Sequence, residues 1–137
     1  MSANGLITLP SVRNVKETAD RLAAEAAAKG LTIFARIDHA AGAKAVGLPL
    51  RPTELVIFGN AAGGTPLMQA LQTTGIDLPL KALAWEDADG KFWLSYNDPA
   101  WIAARHEAGK GDAAAVAAVT ARLAAALAGL AKAATAA

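Results

Sequence analysis

Cysteine is absent from the 137-residue chain, which excludes disulfides, thiol nucleophiles and cysteine-ligated metal sites. Neither sign of charge dominates. Thirteen basic and twelve acidic residues leave a formal net charge of +1, and Arg13, Lys16, Arg21, Lys29 and Arg36 alternate with Glu17, Asp20, Glu25 and Asp38. A nucleic-acid binder needs a basic stripe to neutralise phosphates, so no nucleic-acid partner is expected. No run approaches the ~20 large apolar residues of a spanning helix, and Arg122 and Lys132 interrupt the alanine-rich tail. No membrane association is expected. The first ten residues carry no basic n-region and only a short apolar patch, so they do not read as a secretory signal. A cytoplasmic, bacterial-type protein is the natural expectation.

What the chain has in excess is alanine, which inflates a hydrophobic fraction of 54% and points to helix. The length suits one domain over residues 1–137. Residues 6–9 form an apolar run that Pro10 is expected to end, consistent with a first strand. Asn14-Val-Lys-Glu17 has the form of a capping box. Val15, Ala19, Leu22 and Ala26 follow at helical spacing, and Gly30 closes the helix. Residues 31–37 alternate like a half-buried strand, Asp38 caps a short helix from His39, and Gly47 stops it. Residues 53–58 form a strand leading into the glycine loop Gly59-Asn-Ala-Ala-Gly-Gly64. Thr65-Pro66 then predicts a helix start, cap and first-turn proline together. Residues 80–97 predict a hairpin around Asp87-Ala-Asp-Gly90. A three-residue loop with left-handed Gly90 sets Asp87 opposite Lys91 and Trp85 opposite Trp93, whereas a two-residue turn sets Trp93 against Glu86; cross-strand pairing favours the first. Asp98-Pro99 starts a helix through about His106, and Asp112 caps a long final one. There Val116, Val119, Leu123, Leu127 and Leu130 form a seam within an arc of ~100°. The last few residues are expected to fray.

Few residues announce chemistry. Strand, glycine loop and helix is a layout that offers backbone N–H groups to an anion, but the phosphate-loop pattern wants lysine where this chain has Thr65. The plain alternative is a flexible turn. His39 and His106 are the only histidines, with Asp38 and Glu54 as candidate partners for acid–base or metal work. No local ligand spacing joins them, so no metal is assigned, and the alternative is one helix-start and one helix-end histidine. Ser2, Ser11 and Ser95 lack a nucleophile context. Trp85, Phe92, Trp93, Tyr96 and Trp101 concentrate aromatics in a chain with only 5% of them. They either floor a ligand pocket or form ordinary core.

With these segments placed, the chain resembles the domain of unknown function 302 family. The resemblance is carried by Ala35-Arg-Ile-Asp-His39, Gly47-Leu48, Arg51-Pro52-Thr53, Phe58-Gly-Asn60, Gly64-Thr-Pro-Leu-Met68, Asp77-Leu-Pro-Leu-Lys81, Trp85-Glu-Asp87, Asp89-Gly90 and Ser95-Tyr-Asn-Asp-Pro99. It runs over residues 11–107, with the helix of residues 112–137 outside it. It implies a small bacterial or archaeal α+β homodimer with no settled activity, and recurring polar positions at Asp38, His39, Arg51, Asn60, Lys81, Tyr96, Asn97 and His106. The family often reads Gly-Asn-Pro followed by lysine, whereas Ala61 and Ala62 stand here, which argues against an anion site in the loop itself.

The expected fold is a two-layer α+β domain, with four or five antiparallel or mixed strands, helices on one face and a long C-terminal helix. The expected function is a dimeric small-ligand-binding or accessory module, without cofactor. Its ligand candidates are Asp38, His39, Glu54, Asn60, Tyr96 and His106, with His39 in hydrogen-bonding reach of another polar side chain. The alternatives are an enzyme using His39 with a carboxylate, metal-assisted or not, and a pure dimeric interaction module.

Overall fold

The computed structural model describes residues 4–106 and 113–137. Strand β1, Leu6–Ser11, runs through Pro10 instead of ending there. The strand lies at the sheet edge, where a residue without an N–H can be accommodated on the unpaired side. Helix α1, Val15–Ala28, is capped by Asn14, whose side chain accepts from the Glu17 N–H at 2.8 Å. It closes as a Schellman motif: the Gly30 amide donates to Ala27 and the Leu31 amide to Ala26, with Gly30 at φ +79°.

Strand β2 spans Thr32–Asp38 and helix α2 spans His39–Ala45, capped by Asp38. Strand β3 is Thr53–Gly59. The next helix, α3, begins earlier than the Thr65-Pro66 signal suggests. It spans Ala61–Ala70 and is capped by Asn60, leaving Pro66 inside. Ala61 and Ala62 are strong helix formers and Asn60 is a strong cap. They outweigh the one backbone hydrogen bond that Pro66 forfeits. A 3-10 turn, Gln72–Ile76, leads to β4, Leu80–Glu86, and β5, Phe92–Asn97. Helix α4 is Pro99–Arg105, with Asp98 as its cap, and α5 is Ala113–Thr135. The cap expected at Asp112 lies outside the described residues.

The five strands form one antiparallel sheet in the order β1-β5-β4-β3-β2. Trp85 pairs with Trp93, and the Asp87 amide donates to the Lys91 carbonyl at 2.8 Å, so the hairpin uses the three-residue loop. The indole centroids are 6.2 Å apart. Alternation along each strand assigns Val56, Phe58, Ala82, Ala84, Leu94 and Tyr96 to one face. These pack in a single core with Val15, Ala19, Leu22 and Ala26 of α1 and Leu127, Leu130, Ala131 and Ala134 of α5. The other face carries Leu55, Ile57, Leu83, Trp85 and Trp93, all half-buried.

The α5 seam is therefore closed within the chain. Val116, Val119, Leu127 and Leu130 are buried, and Leu123 packs partly against the same clusters. By length and composition α5 is long and apolar enough to cross a membrane, unlike the sequence expectation; one side of it packs on α1 and the sheet. Its end does not fray. The Val12 amide donates to the Thr135 carbonyl at 3.1 Å, Arg13 Nε to Ala136 at 2.8 Å and Arg21 Nε to Ala133 at 3.1 Å.

Candidate functional site

The sequence candidates fall into separate places. Asp38 pairs with Glu54 at one end of the β2–β3 ladder, and Thr32 with Gly59 at the other. At ~3.3 Å per residue these ends are about 20 Å apart, so His39 and Asn60 do not share a site. His39 is exposed and makes no hydrogen bond or ion pair with the other described residues. Its neighbouring carboxylates are already engaged. Asp38 accepts from the Ala41 amide at 2.9 Å as the α2 cap. Glu54 accepts from Arg36 Nε at 2.7 Å, and Arg36 also reaches Asp20 at 2.8 Å. Burial works against the Arg36 charge, but the hydrogen bonds to Glu54 and Asp20 outweigh it and hold the guanidinium above its ordinary value. Lys16 first, then Arg36, hold the Asp20 carboxyl below its own.

A wide cleft of about 930 Å³ runs between Arg36, Asp38, Lys44, Arg51 and Glu54. Its acids are committed, while Lys44, Leu48, Leu50 and Arg51 also line it.

The aromatics divide across the sheet. Trp85 and Trp93 lie on the face away from α1 and α5, where Trp85 Nε1 donates to Ser95 Oγ at 2.9 Å and Trp93 Nε1 to Asp87 Oδ2 at 2.8 Å. Tyr96 is buried beneath the helices. Burial, then the charge of Asp98, raises its phenol above the ordinary value.

His106, the α4 cap residue, belongs to a cluster that the sequence did not signal. Its Nε2 lies 2.5 Å from Asp77 Oδ2 and its Nδ1 2.8 Å from Thr73 Oγ1. Arg105 contacts both Asp77 oxygens, at 2.8 and 3.1 Å. In the neutral ring, Nε2–H donates to Asp77 and Nδ1 accepts from Thr73. The order hydroxyl, imidazole, carboxylate is that of a nucleophile relay, yet Thr73 lines neither cavity and Asp77 is also tied to Arg105. The cluster braces the end of α4 against the 3-10 turn.

A more enclosed cavity, of about 530 Å³, lies under α5. Leu31 lies just before β2 and Phe34 within it, where a register shift between Ile33 and Ala35 leaves Phe34 55% exposed. Asn60 and the first residues of α3 form one wall, Leu78 to Leu80 the opposite one, and Arg122, Leu123, Ala126 and Leu130 the roof. The glycine loop thus contributes small helical residues to a cavity wall. Asn60 is spent as a cap, accepting from the Gly63 amide at 2.6 Å. Asn60 of the sequence candidates lines it, whereas Arg122 was not foreseen because it comes from the far end of the chain.

The family model described as Domain of unknown function DUF302 matches residues 7–130. The chain belongs to that family. The match takes in residues 113–130 of α5. Two curated relatives are each 57% identical over 106 residues, 77% of this chain. They are fluoride-specific ion channel FluC 1 of Brucella suis biovar 1 (strain 1330), with 42% of its length covered, and FluC 1 of Brucella abortus biovar 1 (strain 9-941), with 39%. The chain spans about two fifths of the length of these relatives. The crystal structure of an uncharacterized conserved DUF302 protein from Bacillus stearothermophilus superposes with a TM-score of 0.79 at 17% identity, covering 93% of this chain and 96% of that one. The α+β architecture is thus a shared DUF302 fold, and the domain is uncharacterised.

Proposed function

We propose that this DUF302 chain is a small-ligand-binding accessory domain whose ligand occupies the cavity under α5. The carrying observation is the cavity's shape and lining. About 530 Å³ of mostly apolar space with a few polar groups matches the usual form of a small-molecule site. Ala126 is an exposed residue of α5 on the cavity wall, so Ala126→Trp fills the space without disturbing the core. Ligands retained by protein purified from its bacterial host, identified by native mass spectrometry, are expected to vanish in Ala126→Trp. A ligand retained equally by both proteins would remove the cavity as the site.

The proposal includes a cytoplasmic homodimer. Its support is the sheet face away from α1 and α5, with half-buried Leu55, Ile57 and Leu83, together with Val46, Leu48 and Leu50, which are 72%, 62% and 49% exposed. Sedimentation across a dilution series tests it, and a monomeric mass at tens of micromolar would refute it. The accessory role extends to membrane proteins like the Brucella relatives, in which a domain like this one accompanies a larger remainder. Removing that domain is expected to leave fluoride conduction in vesicles intact, and loss of conduction would overturn this part. An enzyme centred on His39 has weaker support, since its imidazole has no partner among the described residues.

A further inference from the structure

We infer that the cavity ligand is an amphipathic monoanion: an aliphatic or aromatic body carrying one carboxylate-like head group. This rests on the ligand-binding reading above and adds the ligand's charge. Seventeen of the described residues line the cavity, and Arg122 alone among them is ionisable. No aspartate or glutamate among the described residues lines the space, so the charge they bring to it has one sign. The Arg122 side chain makes no ion pair or hydrogen bond with the other described residues, and the residue is exposed. Asn60 opens α3, a ten-residue helix, against the same cavity, adding the positive end of a helix dipole. That end is an auxiliary feature, because the Gly63 amide is already held by Asn60.

The body of the ligand is set by the remaining wall. Leu31, Phe34, Leu78, Leu80, Leu123 and Leu130 offer it apolar contact. Gly63, Gly64 and Gly75 add small wall residues: a Cβ at Gly63 would press on Asn60 Oδ1 at 2.9 Å and one at Gly75 would crowd Met68 Sδ at 3.3 Å. A small hydrophilic anion would leave this lining wet, and a neutral hydrocarbon would leave Arg122 without a counter-charge. A planar guanidinium pairs with a carboxylate through two parallel hydrogen bonds.

The test is isothermal titration of the full chain with dodecanoate, dodecanol and dodecyltrimethylammonium at matched ionic strength, repeated with Arg122→Gln and Ala126→Trp. Dodecanoate is expected to bind about tenfold more tightly than dodecanol, with the cation weakest. Arg122→Gln should remove that tenfold advantage and leave dodecanol unchanged, while Ala126→Trp abolishes all binding. Circular dichroism checks that both variants fold. Equal affinity for the acid and the alcohol, or an unaltered preference in Arg122→Gln, would overturn the anion assignment and leave ligand binding standing. No binding of any probe would overturn both.

Discussion

Replacing Leu127 by alanine asks whether α5 belongs to the core or merely rests on it. Leu127 is 2% exposed and shares a cluster with Leu22, Ala26, Phe58 and Ala131. The substitution removes buried methyl groups and leaves a cavity between α1, α5 and the sheet, since α1 and the strands cannot collapse into it. Buried leucine-to-alanine changes cost ~2–5 kcal/mol, and a full-core site with no exposed edge points to about 3 kcal/mol. For a chain of this size that corresponds to a fall in Tm of roughly 10 °C. Leu123→Ala provides the internal control. Leu123 is half-buried and already borders the cavity, so its loss should cost only about 1–2 kcal/mol. Urea and thermal unfolding followed by far-UV circular dichroism and tryptophan fluorescence read both, and Trp85, Trp93 and Trp101 all lie outside α5. A Leu127→Ala cost below about 0.5 kcal/mol, or release of a smaller folded species at unchanged stability, would mean the seam faces another molecule.

Gly5→Ala should destabilise by at least about 2 kcal/mol, because Gly5 has φ +76° and an added Cβ would fall 2.3 Å from Trp101 Cδ2; an unshifted melting curve would show that Trp101 can move aside. Asp77→Ala strips the carboxylate from a His106 side chain that is 9% exposed, costing about 1–3 kcal/mol, with early loss of α4 in hydrogen exchange as its signature. Uniform exchange across the chain would contradict the brace. The Asp87 carboxyl is held below its ordinary value by the Trp93 indole first and the Lys91 amide next. Its folded value being depressed, its contribution is complete above the unfolded value of ~3.9 and fades as pH falls through the lower folded one. The Trp93 indole resonance should titrate below 3.8, the ordinary aspartate value; a midpoint at or above that value would contradict the hydrogen bond.

Local signals in the sequence were faithful wherever the determinant was local. The Asn14 cap, the Gly30 stop, the Asp38 and Asp98 caps and the Gly90 loop each involve side chains and amides only a few positions apart. Where two local signals competed, the stronger was not obvious, and Asn60 with two alanines started α3 before Thr65 and Pro66. The site was least legible, because its parts are joined by topology. Glu54 looked free for His39 until β2 and α1 set Arg36 against it. Asp77 and His106 meet only once α4 folds back over the 3-10 turn. Arg122 reaches the glycine-rich wall only because α5 crosses the sheet, which spacing within the chain cannot reveal.

The clasp between residues 12–13 and 135–136 also orders events in time. Strands β2 to β5 lie side by side in chain order, so most of the sheet can pair as the polypeptide emerges. Strand β1 must wait for β5, and the amide of Val12 has no carbonyl to meet until Thr135 has been synthesised. Throughout that interval the part of the core cluster that Leu127, Leu130, Ala131 and Ala134 complete lacks those side chains. Contacts of such long sequence separation form slowly and leave apolar surface exposed meanwhile. A ribosome stalled before α5 is released should therefore hold a nascent chain bound by chaperones and readily cut by proteases, and completion of the last helical turns should end both together.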